Sequence, residues 1–121
     1  MIEPDLIPMV AARFKALGDP VRLALLAVLQ GGEKTVSELT LATRRNQPNV
    51  SQQLASLARA GLVESRRDGN RVYYQSADPF VTRICAAVCA SLTARFRTEE
   101  ERMKALRRAA SRRRKDGRGQ G

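Results

Sequence analysis

The sequence predicts a mainly α fold with one small β-hairpin, in the order four helices, two strands and a closing helix. Three observations predict it. Gly and Pro cut the first half into short apolar segments with helical spacing. Asp68-Gly69, a tight-turn signal, separates two short strand-like runs. Asp78-Pro79 then opens a long segment with an apolar stripe. In that order the elements make a winged helix-turn-helix, and 121 residues suffice for one domain with a small core.

The first helix is expected over about residues 5–17, where Leu6, Val10, Phe14 and Leu17 share a face and Gly18 ends it. Asp19 caps a second helix and Pro20 takes its first position. This helix is apolar nearly all round, which predicts a central place, and Gly31-Gly32 stops it. Thr35-Val36-Ser37-Glu38 has the form of a capping box, so a third helix starts near Val36 and fades near Thr43. Arg44-Arg45-Asn46 makes the turn, with Asn46 as cap of a fourth helix that ends at Ala60-Gly61. Strands at 62–65 and 72–75 flank a six-residue basic tip. The closing helix runs from about 79 to at least 96. Residues 1–98 form the predicted winged helix-turn-helix domain. Residues 99–121 form a basic extension, helical at first and disordered over 116–121.

Charge narrows the function. The net charge is +10, and residues 95–121 carry eleven Lys/Arg against four Asp/Glu, while residues 1–94 carry eleven against eight. A basic balance favours a polyanionic partner, nucleic acid first. There is no histidine, which removes the usual general base and the commonest zinc ligand. No phosphate loop or nucleophile elbow is present, so no enzyme, catalytic residue or cofactor is expected. No run of apolar residues is long enough for a membrane span, and MIEPDLIP lacks a signal-peptide pattern, so a cytoplasmic protein is expected. Two cysteines in a reducing compartment stay thiols.

The fourth helix carries the most definite chemistry. At 100° per residue Val50, Leu54 and Leu57 share one side, and Pro48, Asn49, Gln52, Ala55, Ser56 and Arg59 lie on the other. No acid occurs from Arg44 through Leu62. Amides can donate and accept along a base edge, small residues allow close approach, and absent carboxylates spare phosphate from repulsion. The expected contacts to double-stranded DNA are Arg44 and Arg45 from the turn. The helix adds Gln47, Pro48, Asn49, Ser51, Gln52 and Ser56. The wing adds Arg66, Arg67, Asn70 and Arg71, against the backbone or a narrow minor groove.

These motifs resemble the ArsR-type (ArsR/SmtB) winged-helix repressors. The resemblance rests on LGDPVRLALLAVL (17–29), VSELT (36–40), NQPNVSQQLASLARAGLVESRRDGNRVYYQ (46–75) and the helix after Asp78-Pro79, and it covers residues 12–92. It implies a symmetric homodimer built from the first and last helices, an inverted-repeat operator, and release by an inducer. Val81, Ile84, Val88, Leu92 and Phe96 make an apolar stripe that fits such a dimer. A constitutive or nucleoid-like basic DNA binder, driven by the arginine-rich tail, is the alternative.

The resemblance also implies where metal sites would be. The family's thiol-rich box lies near VSELT, where residues 35–41 hold no cysteine, and its site on the last helix needs histidines. No metal is therefore expected at either. Cys85 and Cys89 remain, at i, i+4 spacing on the last helix, where one soft ion or a thiol-reactive inducer could meet both. Packing as small apolar residues is the other reading, and both stay open. Sulfide-responsive relatives pair an early cysteine with one on the last helix, and this chain lacks the early one.

Overall fold

The structure, a computed structural model, describes residues 2–96 and 99–119, with side chains as far as Arg114. A 3-10 turn at Pro4–Leu6 leads into α1 (Ile7–Leu17) and α2 (Pro20–Leu29). Then come β1 (Lys34–Thr35), α3 (Val36–Thr43), α4 (Gln47–Arg59), β2 (Val63–Asp68) and β3 (Arg71–Ser76). Two helices close the chain, α5 (Phe80–Arg95) and α6 (Glu99–Gly119). The fold is mostly helical with one small antiparallel sheet, a winged helix-turn-helix. Contacts divide the chain into two units, Met1–Thr82 and Arg83–Gly121. Among the described residues no helix is long and apolar enough to cross a membrane.

Side-chain caps start four of the helices. Asp19 accepts from the amides of Val21 and Arg22 at 2.9 and 3.0 Å. The Glu38 amide donates to Thr35 Oγ1 at 3.2 Å, and the Thr35 amide donates back to Glu38 Oε1 at 3.1 Å. Asn46 accepts from the Asn49 amide at 2.8 Å, and Asp78 from the Phe80 amide at 2.9 Å. Each cap satisfies amides that have no partner inside their helix. The Thr35 hydrogen bonds hold the Glu38 carboxyl below the usual carboxylate range.

The core of the first unit gathers one side of each helix. Leu25, Leu26 and Leu29 of α2 meet Leu39 of α3 and Val50, Leu54 and Leu57 of α4, with Leu17, Leu62, Val63 and Val81 at the edges, all buried. The second helix is central, as expected, but not buried all round, because Leu23 stays 39% exposed. Arg22 ties three elements together. Its Nε and Nη2 donate to the Ala16 and Lys15 carbonyls at 2.6 and 3.0 Å, and Nη1 donates to Gln53 Oε1 at 3.1 Å. These bonds satisfy carbonyls at the end of α1 and fix α4 from its flank.

Three features differ from the sequence expectation. The sheet has three strands in the order β1-β3-β2, because Lys34 and Thr35 pair with Tyr74 and Tyr73. The hairpin strands are longer than predicted, so Arg66 and Arg67 lie within β2 and the turn shrinks to Gly69-Asn70. Gly69 has φ +63, a left-handed conformation that suits glycine at the first position of a two-residue hairpin turn. Finally, α6 continues through Asp116-Gly117-Arg118-Gly119, where composition predicts disorder. Extending an existing helix adds one hydrogen bond per residue fixed, which offsets the low propensity of glycine there. Gln120 and Gly121 lie outside the described residues, as do Arg97 and Thr98.

Candidate nucleic-acid interface

The turn between α3 and α4 sets the angle of the presented helix. Arg44 sits at φ 56, the one non-glycine residue with positive φ among those described, and this left-handed step reverses the chain after Thr43. Arg44, Arg45 and Asn46 are all exposed. Asn46 then starts α4 with Gln47 and Pro48 in its first turn. Pro48 has no amide to satisfy there, and its fixed φ suits a helix start.

Gln47, Pro48, Ser51, Gln52, Ala55, Ala58 and Arg59 are exposed along α4, while Val50, Leu54 and Leu57 are fully buried. The wheel therefore gives the faces correctly. Asn49 is half-buried, with its amide committed to the Asn46 cap and its side chain making no hydrogen bond among the described residues. Ser56 is half-buried and accepts from Arg59 Nη2 at 3.2 Å, so this hydroxyl is engaged within the helix. Gln53 is held by Arg22, which separates it from the neighbouring Gln52 in role. No carboxylate lies on the helix, so the exposed strip is amide, hydroxyl, methyl and guanidinium.

The wing differs more from its expectation. Cross-strand register places Arg66 opposite Tyr73, Arg67 opposite Val72 and Asp68 opposite Arg71. Side chains alternate along a strand, so Arg66 and Arg67 project from opposite faces. Arg66 Nε donates to Glu33 Oε2 at 2.9 Å, and its Nη2 donates to Glu33 Oε1. Its guanidinium lies 4.6 Å from the centre of the Tyr73 ring, and 3.8 Å separates Nη1 from Asp68 Oδ2. Hydrogen bonding to Arg66 lowers the Glu33 carboxyl below its ordinary range, and the same bonds raise the Arg66 guanidinium above its own. Arg66 is thus partnered within the protein. Arg67, Asn70 and Arg71 stay exposed at the tip, with Arg71 near enough to help hold Glu38 ionised. Glu33 and Tyr73 were not among the expected residues. The apolar-polar pattern marks faces, and it carries no signal for a carboxylate 33 residues away from its arginine.

Cys85 is half-buried and Cys89 exposed, both as free thiols on α5. Cys89 lines a concavity of the second unit with Leu92, Thr93, Phe96, Arg102, Ala105 and Leu106.

Residues 19–65 match the bacterial regulatory protein family called arsR. The chain is 38% identical over 81 residues to a biofilm growth-associated repressor of Agrobacterium fabrum, covering 67% of this chain and 69% of that protein. It is 43% identical over 68 residues to a probable mercury resistance operon repressor of Streptomyces lividans, covering 56% of this chain and 54% of that protein. A solution structure of a homodimeric winged helix-turn-helix DNA-binding domain from Mycobacterium bovis matches with TM-score 0.66 and 39% identity, over 73% of this chain and 82% of that one. With these elements, this turn and these relatives, the chain belongs to the ArsR family of bacterial regulatory proteins, which are DNA-binding transcriptional regulators.

Proposed function

We propose that this protein is a repressor that binds an inverted-repeat operator as a homodimer. One observation carries the reading of DNA: the exposed strip of α4 is free of acid from end to end and is followed by a wing that presents Arg67 and Arg71. Asn49, Gln52 and Gln47 serve base edges, Ser51 serves phosphate or base, and Arg44, Arg45, Arg67, Asn70 and Arg71 serve the backbone. Pro48 shapes the helix start, and Ser56 reaches DNA only by releasing Arg59. Arg66 positions the wing through Glu33 and Tyr73. The homodimeric relative supports the dimer, which would place two α4 helices about 34 Å apart, one turn of DNA.

The test is a mobility shift with DNA from upstream of the protein's own gene. A salt-sensitive complex that survives a random-sequence competitor is expected, and Asn49→Ala/Gln52→Ala should abolish its sequence preference. No preference in the wild type, or none lost in the variant, would overturn base reading by α4.

The signal is proposed to act at Cys85 and Cys89. One turn of helix separates them, and Cys89 is open to solvent, so a soft thiophilic ion or oxidant can reach the pair. The mercury-linked relative is in keeping with a soft ion. Cys85→Ser/Cys89→Ser should bind the same DNA and no longer release it on addition of arsenite, mercuric ion or peroxide. Release that persists in the double variant would remove the thiols from the mechanism.

A further inference from the structure

We propose that α6 is a second DNA-binding element, an arginine-rich helix that grips the phosphate backbone beside the operator without reading sequence. The helix gathers most of its cations on one side. At 100° per residue Lys104, Arg107, Arg108, Arg112 and Arg114 fall on one half of the surface, with Ser111 among them. Met103, Leu106, Ala109 and Ala110 fall on the other, with Arg102 and Arg113 between Ala109 and Leu106. All seven cations are exposed, while Ala105, Ala109 and Ala110 are half-buried. The acids of this helix are confined to Glu99, Glu100 and Glu101 in its first turn until Asp116. They sit beside the helix start, where the dipole favours them. Lys104 reaches Glu100 at 4.0 Å, but Arg107, Arg108, Arg112, Arg113 and Arg114 make no ion pair among the described residues.

Charge and spacing select the partner. From Arg107 to Arg114 the helix advances about 10 Å at 1.5 Å per residue. Duplex DNA presents one phosphate charge per ~1.7 Å of axis, about six over that length. Four guanidiniums on the basic half, Arg107, Arg108, Arg112 and Arg114, approach that density, and the planar fork of arginine binds phosphate through two hydrogen bonds at once. A membrane surface fits less well. Helices that lie in the lipid interface carry a broad face of Trp, Phe and Leu, and this one has a single leucine, one methionine and alanines. None of the cations sits on the α4 strip, so the contact adds affinity without adding sequence preference.

The inference rests on the repressor reading only for its site beside an operator, and the experiment separates the two. Full-length Arg107→Gln/Arg108→Gln/Arg112→Gln/Arg113→Gln/Arg114→Gln keeps helix-forming residues and removes the charge. Binding is measured by fluorescence anisotropy over a range of salt, on the upstream fragment and on a random duplex of equal length. The variant should lose about tenfold or more in affinity for both duplexes at physiological salt. Its slope of log K against log salt should fall by roughly 2 to 4 per chain. The ratio between the two duplexes should not change. Asn49→Ala/Gln52→Ala should do the reverse, losing the ratio and keeping most of the slope. An unchanged slope in the glutamine variant, with its helicity intact by circular dichroism, overturns the α6 proposal and leaves the repressor reading standing. A slope that falls where no duplex is preferred supports α6 and overturns base reading. If charge removal abolishes binding to phosphatidylserine–phosphatidylcholine vesicles and leaves DNA binding unchanged, the helix faces lipid and the proposal fails.

Discussion

The guanidinium of Arg66 meets a carboxylate and an aromatic ring before any phosphate approaches. Glu33 takes two of its hydrogen bonds and Tyr73 lies beneath it, while Arg67 on the other face of the strand has no such partner among the described residues. The two neighbours should therefore behave differently on DNA. Arg67→Ala should lower the salt slope of binding by about 0.9, one phosphate contact. Arg66→Ala should leave the slope nearly unchanged, and Glu33→Ala should raise it by freeing Arg66. Anisotropy titrations at several salt concentrations decide this, and equal losses for Arg66 and Arg67 would sink the distinction. The pair also carries a pH signature. The Glu33 carboxyl is lowered in the folded protein, first by its hydrogen bond with Arg66, so its contribution is complete above the ordinary glutamate range. That contribution is lost as pH falls through the lowered value. Glu33→Gln should flatten the acid limb of thermal stability measured between about pH 5 and pH 3. The pair is solvent-exposed, so the change should be small.

At the scale of elements, the turn before α4 holds backbone strain. Arg44 adopts φ 56, a region that costs an L-residue about 1 kcal/mol or more and costs glycine nothing. Arg44→Gly and Arg44→Ala both remove the guanidinium, but only glycine relieves the strain. Denaturant unfolding should find Arg44→Gly the more stable by roughly 0.5–1 kcal/mol, after the entropy glycine adds to the unfolded chain. Both should lose DNA affinity alike, and an alanine variant as stable as the glycine one would mean the turn is not strained. Caps were legible in the sequence for the reason that makes them work: Asp19, Thr35, Asn46 and Asp78 act on amides two or three residues away. The faces of α4 were legible because its period alone decides them. The wing was less so. Which face Arg66 takes depends on cross-strand register, and the turn moved from Asp68-Gly69 to Gly69-Asn70. Strand β1 is two residues long and exists because Tyr73 and Tyr74 are there to pair with it, so Lys34 and Thr35 carry no local mark of it.

Over the whole molecule, large apolar side chains stand open on several helices, α1 and α5 among them. Ile7, Met9 and Phe14 of α1 are 52%, 66% and 55% exposed, and Val88 and Leu92 of α5 are 52% and 48% exposed. A chain of this size with a complete core elsewhere has no reason to keep these groups wet as a monomer, and a second copy is the occupant that the dimer proposal supplies. Phe14→Glu and Val88→Glu each place a charge in that proposed contact. Both positions lie outside the core, so helicity and the cooperative thermal transition of each isolated variant should persist. Sedimentation equilibrium should then show monomers for the variants where the wild type sediments as a dimer. DNA binding should fall further than any loss of contact explains. Two linked α4 helices bind the second half-site as an intramolecular event, which multiplies affinity by ~10²–10⁴ over one helix alone. A monomeric variant should therefore lose about a hundredfold or more on an inverted repeat while keeping its affinity for a single half-site. A wild type that sediments as a monomer would overturn the dimer. Dimeric variants that bind the repeat as tightly as the wild type would move the contact off these two helices.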